Sequence, residues 1–296
     1  MSQALTLLLA VGAVSTSGLF AHRALAEATP LALAAWRLGL ASVLFVGWAA
    51  LRGDGKHSRP YGWRVWARLL GAGLCLALHF LNWFGALQND PIARATLLAC
   101  TTPLWAALIG LGRGRRPSAG YAPALALAGL GIGMVVGVHA PARASGRGDG
   151  LALAAGLLFA LYLLCMEGLH RTISPRRQVT VVYGVAAVVL WLALLAGRGA
   201  TLAYSPGVWW ALLGLTLGPQ IVGHTLLNAS LRHFPASTVG LAILLEPIFT
   251  ALLAWALLGQ TVTPPQMLGG LLVLAGLALV IRDQSPAERA SDEPVG

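Results

Sequence analysis

Apolar residues in this 296-residue chain run in blocks of roughly twenty, neither alternating nor confined to one helical face, and polar residues collect between the blocks. A block of that length is what an α-helix needs to cross a ~30 Å hydrocarbon core. The blocks predict spans over 3–22, 31–51, 68–88, 91–111 and 119–138, then over 150–169, 178–196, 207–230, 235–258 and 264–281. Turn chemistry marks the breaks: Arg52-Gly-Asp-Gly-Lys-His-Ser-Arg-Pro60, Gln88-Asn-Asp-Pro91, Pro141-Ala-Arg-Ala-Ser-Gly-Arg-Gly-Asp149 and Thr263-Pro-Pro265. The predicted fold class is all-α integral membrane, with ten transmembrane helices.

Composition sharpens this picture by exclusion. Only 10% of residues are charged, 57% are hydrophobic and the mean hydropathy is +0.74. An average soluble domain carries about 25% charge, so a water-soluble, disordered or coiled-coil chain is excluded. The connections between blocks are too short for a soluble domain. Cys75, Cys100 and Cys165 each lie inside an apolar block without C-x-x-C spacing, which argues against a disulfide scaffold or a thiolate metal site. The first block follows Met1-Ser2-Gln3-Ala4 without Lys or Arg, so it is expected to be a retained span and not a cleaved signal.

The net charge of +10 does not call for nucleic acid, because the basic residues sit in the loops. With the N-terminus inside, fourteen of the twenty Lys and Arg face the cytoplasm and four face out, while Arg37 and Arg94 lie near or within spans. Both termini are therefore expected to be cytoplasmic, and the lipid bilayer is the expected partner. Trp63 and Trp66, and Trp209 and Trp210, stand where interfacial anchors are expected.

The two halves resemble one another at an offset of 144 residues. Pro91 then meets Pro235, Pro103 meets Pro247, and Gly85-Ala-Leu-Gln-Asn-Asp-Pro-Ile-Ala faces Ala229-Ser-Leu-Arg-His-Phe-Pro-Ala-Ser; Leu127-Ala-Gly-Leu130 meets Leu274-Ala-Gly-Leu277 after a three-residue shift. Five spans per half is an odd number, so the second repeat enters the membrane inverted. The expected units are 1–138, 150–281 and a cytoplasmic tail, 282–296. Inverted repeats are a recurrent architecture of secondary transporters, with substrate bound at the repeat interface.

Three stretches carry a family resemblance: Asn82-Trp-Phe-Gly-Ala-Leu, Thr101-Thr-Pro-Leu-Trp-Ala-Ala-Leu, and Leu245-Glu-Pro-Ile-Phe-Thr-Ala-Leu-Leu-Ala-Trp-Ala-Leu-Leu-Gly259. With the closing Gln266-Met-Leu-Gly-Gly-Leu-Leu-Val-Leu-Ala-Gly-Leu-Ala-Leu-Val280, they resemble the EamA-type members of the drug/metabolite transporter superfamily over nearly the whole chain. Gln260 departs from that pattern, standing where many relatives have Glu. The helix His79-Phe-Leu-Asn-Trp-Phe84 is similar to the YddG-type exporters of aromatic and other amino acids. The resemblance implies two inverted five-helix halves, a central cavity enclosed by spans three, four, eight and nine, an inner bacterial membrane, and export of amino acids, related metabolites or drugs.

Polar groups inside a span are costly, about 2.5 to 3.5 kcal/mol for a central charge on insertion scales, and so mark cavities or partners. Glu246 is the deep carboxylate; His79 and His224 are the deep histidines. His79, Asn82 and Trp83 share a face at i, i+3 and i+4, and Gln220, His224 and Asn228 recur at i, i+4 and i+8. An imidazole or amide suits a substrate carboxylate, an amide also suits an amine, and an indole suits a ring. Each histidine equally suits a packed, hydrogen-bonded site between helices. Glu246 precedes Pro247 and reads as a proton carrier or amine contact, or as a cap for disrupted backbone. Its counterpart, Thr102 before Pro103, has the kink without the charge. Arg37 either snorkels outward or binds carboxylate at an outer vestibule. Trp105 and Tyr162 either line the cavity or pack. Ser15-Thr16-Ser17 offers hydroxyls to substrate or to its own helix. Pro103, Pro219 and Pro247 are the hinge candidates.

The glycines at 129, 133 and 137, and at 214 and 218, have the spacing of close helix approach. An enzyme is disfavoured, since G-x-S-x-G, H-E-x-x-H and a P-loop are missing from the sequence. A channel would call for a filter sequence or charged rings. The sequence implies neither cofactor nor metal. The expected function is export of small amphipathic metabolites, most specifically amino acids, by alternating access, with a broad-specificity drug/metabolite exporter as the other reading. Oligomeric state is left open.

Overall fold

A computed structural model of the chain describes residues 2–52, 61–90, 92–114, 120–137, 146–197, 203–258 and 264–283. Pro91, Gln260, most of the loops after Arg52 and Val138 and the tail beyond Asp283 lie outside these residues, as do the side chains of Arg94 and Trp255. Among the described residues all regular structure is helical and none is strand.

In chain order the helices are α1 (Gln3–Ser15), α2 (Ser17–Ala24), α3 (Pro30–Arg52), α4 (Trp63–Asn89), α5 (Ile92–Ala99), α6 (Thr102–Gly112) and α7 (Tyr121–Gly137). There follow α8 (Gly146–Met166), α9 (Pro175–Ala196), α10 (Pro206–Leu215), α11 (Thr225–Ser230), α12 (Ala236–Ala242), α13 (Glu246–Leu258) and α14 (Pro264–Asp283). Among the described residues, five rods are long and apolar enough to cross a membrane: Gln3–Ala24, Pro30–Leu51, α4, Gly146–Arg171 and α9. Their outward faces carry exposed apolar side chains such as Val43, Leu51, Val188 and Leu192. In water such faces would be an aggregation liability; in lipid they are the solvated surface.

Local chemistry sets the rod ends. The Ser2 hydroxyl accepts the Leu5 N–H at 3.2 Å, and the Thr29 hydroxyl accepts the Ala32 N–H at 3.2 Å. Proline opens α9 and α10, where its missing N–H costs nothing. Beyond α8 the chain turns at Gly168, whose φ of +73° suits glycine.

Helix α4 lies along α8 and α9, α3 along α9, and α7 along α14. The last contact corrects the glycine reading. A Cβ on Gly129 or Gly133 would meet nothing within 4 Å, whereas one on Gly276 would stand 2.7 Å from the Ala124 carbonyl oxygen. The small residue that permits close approach is thus on α14, and α7 offers its alanines. Gly214 does sit in a tight contact, where a Cβ would stand 2.5 Å from the Phe20 ring, while a Cβ on Gly218 would meet only Thr16 at 3.8 Å.

Several rods are interrupted. The helix lapses at Thr16 between α1 and α2, and at Cys100 and Thr101 between α5 and α6. Residues Thr216–His224 between α10 and α11 form a π-helix around Pro219, and Ile243–Leu245 before α13 form a 3₁₀ turn. Proline explains three of the four. It lacks an N–H and its ring collides with the carbonyl four residues earlier, so the ladder must shift or break. Pro219 lies within the π-helix, while Pro103 and Pro247 stand in the first turn after a break.

Candidate functional site

The interruptions surround a cavity of about 440 Å³ of atom-free space, mouth included. Its wall takes Val14 and Ser17 from the first rod, His79, Phe80 and Trp83 from α4, and Thr96, Ala99, Cys100 and Thr102 from the α5–α6 break. Phe159 of α8, His224, Leu227, Ile243 and Glu246 complete it. Two glycines let the walls close: a Cβ on Gly156 would stand 2.7 Å from the Thr101 hydroxyl and 2.8 Å from the Ala99 carbonyl, and one on Gly223 would stand 2.7 Å from Val14.

Four rings form a closed cycle in this wall. His79 meets Phe80 at 4.9 Å and Phe159 at 4.7 Å between centroids, and His224 meets the same two rings at 5.2 and 5.5 Å. The His79 Nδ1–H donates to the Ala155 carbonyl at 2.9 Å, so Nε2 remains as its acceptor. The His79 imidazole is fixed from behind, as a ring that must present one nitrogen to a ligand needs to be, whereas the His224 Nδ1 is buried without a hydrogen-bond partner among the described residues. Glu246 is 8% exposed and faces the cavity, with no hydrogen bond to it among the described residues.

Thr102 lines the same space, but its hydroxyl donates within the wall: the Ala99 and Gly156 carbonyls stand at 3.2 Å each. Behind Ser17 and Phe80 lies the most deeply buried cation among the described residues. Arg37 is 0% exposed; its Nε donates to Gln220 Oε1 at 2.7 Å, its Nη1 to the Ser17 hydroxyl at 3.0 Å, and its guanidinium lies 3.9 Å from the Phe80 centroid. The Nη2 of Arg37 and the Nε2 of Gln220 are buried without a hydrogen-bond partner among the described residues. No group of three or more His, Cys, Asp or Glu among them stands close enough to hold a metal ion.

The sequence matches the EamA-like transporter family over residues 1–137 and 146–282. The chain belongs to that family. It is similar to the uncharacterized transporter YwfM of Bacillus subtilis (strain 168), with 27% identity over 295 residues and 93% of each chain covered. It is equally similar to an uncharacterized transporter of Archaeoglobus fulgidus, with 27% identity over 288 residues, 95% of this chain and 96% of the other. A crystal structure superposes with a TM-score of 0.75 at 20% identity, covering 96% of this chain and 98% of the other, a likeness of fold alone. Membership and the apolar rods together make this a multi-pass membrane transporter of the EamA type.

Of the residues singled out from sequence, the structure brings His79, Trp83, Thr102, His224 and Glu246 to one cavity. Asn82 turns back on α4, its amide donating to the Leu78 carbonyl at 2.8 Å. The Trp105 indole N–H donates to the Thr101 hydroxyl at 3.2 Å, and the Tyr162 hydroxyl to Asn228 Oδ1 at 2.6 Å, both away from the lining. Gln220 serves Arg37. Arg37 turns to the interior and does not snorkel outward: Ser17 and Gln220, 20 and 183 residues away in sequence, hold it there. Ser15 and Thr16 bond to their own helix at 2.8 Å each, leaving Ser17 as the hydroxyl that reaches across.

Phe80 and Phe159 were missed because a phenylalanine in an apolar block has no signal of its own. Their position, one residue after His79 and three before Tyr162, was the available clue.

At one end of the bundle, the loop carboxylate Glu27 accepts the Ser205 N–H at 2.8 Å and the Ser205 hydroxyl at 2.6 Å. The Ser205 hydroxyl first, then its N–H and the charge of Arg23, hold this carboxyl below the ordinary carboxylate range.

Proposed function

We propose that the chain is a secondary transporter that exports small amphipathic metabolites, amino acids including aromatic ones foremost, by alternating access. Its units in this reading are two inverted five-helix halves, 1–138 and 150–281, with the 282–296 tail and both termini in the cytoplasm and the bundle in the inner membrane. The carrying observation is the cavity itself, where helices from both halves meet around two imidazoles, one carboxylate and the rings of Phe80, Trp83 and Phe159. Rings and alkyl groups take an amphipathic side chain, and the few polar groups orient its head. Breaks beside Pro103 and Pro247, and the π-helix at Pro219, give the walls places to bend. The predominance of apolar lining also favours a second reading, a broad-specificity drug/metabolite exporter.

Uptake of labelled amino acids into proteoliposomes of the purified protein, with and without an imposed pH gradient, tests the proposal. Saturable uptake competed by aromatic or branched amino acids supports it; uptake of cationic dyes without any amino acid transport supports the second reading. Stimulation by the gradient indicates proton coupling, and indifference indicates facilitated diffusion.

A further inference from the structure

The cavity region holds two formal charges of opposite sign, with histidine counted neutral, and they are not paired with one another. Glu246 faces the space without a hydrogen bond from the described residues. Arg37 stands behind Ser17 and Phe80, two of the lining residues, and is 0% exposed. The two interact electrostatically across the site but share no contact within ion-pair distance among the described residues. Two charges withdrawn from water without contact are costly, and a protein that only needed stability would join them or omit them. The unmet donors on Arg37 Nη2 and Gln220 Nε2 add a second cost on the same side. The charge imbalance is relieved by one kind of guest: an anionic head on the Ser17 and Phe80 side of the cavity, toward Arg37, and a cationic head placed toward Glu246.

The geometry points to a charge-matched site in which Arg37, supported by Gln220 and Ser17, and Glu246 together select net-neutral zwitterions and reject the corresponding amines and acids. This rests on the reading of the cavity as the transport site. An ammonium alone satisfies Glu246 but adds a second cation near Arg37; a carboxylate alone does the reverse. In a partly enclosed, largely apolar site that imbalance is screened less than in water, so discrimination by net charge follows without any change in the apolar contacts.

The test uses three probes of one shape: phenylalanine, 2-phenylethylamine and 3-phenylpropanoate, with affinities measured by calorimetry on the purified full chain. The wild type is expected to bind phenylalanine at least tenfold tighter than either of the others. Glu246→Gln is expected to move the acid up at least tenfold relative to phenylalanine, and Arg37→Gln to move the amine up likewise, while Arg37→Lys keeps the wild-type order. The double variant, Arg37→Gln with Glu246→Gln, brings all three within about threefold.

Should Arg37→Gln fail to fold, the Glu246→Gln shift decides alone, since glutamine keeps the shape of glutamate. Equal binding of all three probes by the wild type, or an unchanged order in Glu246→Gln, overturns the charge-matching inference and leaves the transporter reading standing. No binding of any probe removes the amino acid reading together with the inference.

Discussion

Two helix breaks meet beside the cavity, where the Cys100 thiol reaches the Ile243 carbonyl at 3.8 Å, and each is followed by a residue and a proline, Thr102-Pro103 and Glu246-Pro247. The backbone problem is the same, since each proline removes one rung of the ladder. The solutions differ. At the first, the Thr102 hydroxyl is bonded to the wall at Ala99 and Gly156. At the second, the side chain is a carboxylate left open to the cavity. One break is sealed by its polar group, and the other presents its polar group to whatever enters. The kink is therefore architecture common to both, and chemistry belongs to one of them.

The largest expected effect lies at the sealed break. Gly156→Leu places carbon where the Thr101 hydroxyl and Ala99 carbonyl stand within 3 Å of a Cβ, and overpacking of this kind costs about 3 kcal/mol. A marked fall in melting temperature in detergent is expected; an unchanged value would mean that the α8 contact is loose and the comparison misdrawn. Next in size is Glu246→Gln, with affinity for phenylalanine lowered roughly tenfold, about 1.4 kcal/mol. Its melting temperature should hardly move, because the carboxylate has no hydrogen bond to lose. A large loss of stability would instead make Glu246 a structural cap.

Thr102→Val is the smaller counterpart, expected to cost about 0.6 kcal/mol, a typical buried hydrogen bond in a helical membrane protein. It should leave the ranking of charged probes untouched, and a changed ranking would show that Thr102 also reads the ligand. The smallest effect concerns Glu27, a carboxylate saturated by Ser205 where Glu246 is left open. Because its folded pKa is lowered, its contribution to stability is fully present above about 4.5 and is lost as pH falls through the folded value. The wild type should thus lose its small advantage over Glu27→Gln as the medium is acidified from neutrality. A difference that stays constant with pH would count against the Ser205 contact.

How much of this was written in the sequence depends on how local each cause is. Pro103, Pro219 and Pro247 announce themselves because proline acts on its own turn of helix, whatever surrounds it. The apolar blocks are legible because lipid imposes a length. The shared face of His79 and Trp83 follows from helical spacing, but that same spacing picked out Asn82 without showing that its amide bonds to a carbonyl of its own helix. The fate of Arg37 was not legible at all. Its partners come from distant segments, and only the packing of α3 against the π-helix and the reach of the Ser17 hydroxyl decide that it turns inward. Tyr162 drew notice for its hydroxyl, yet Asn228 takes that hydroxyl, and the neighbouring Phe159 is the ring that faces the cavity.

The cycle of His79, Phe80, His224 and Phe159 ties three separate stretches of chain by contacts between flat, stiff side chains, three of them edge-to-face. Such rings have only two torsions each and no slack to absorb a displaced neighbour. A shift of the π-helix is therefore handed on to α4 and α8 together, and the cavity cannot widen on one flank while the other flanks stay at rest. Motion at the site is in this sense geared.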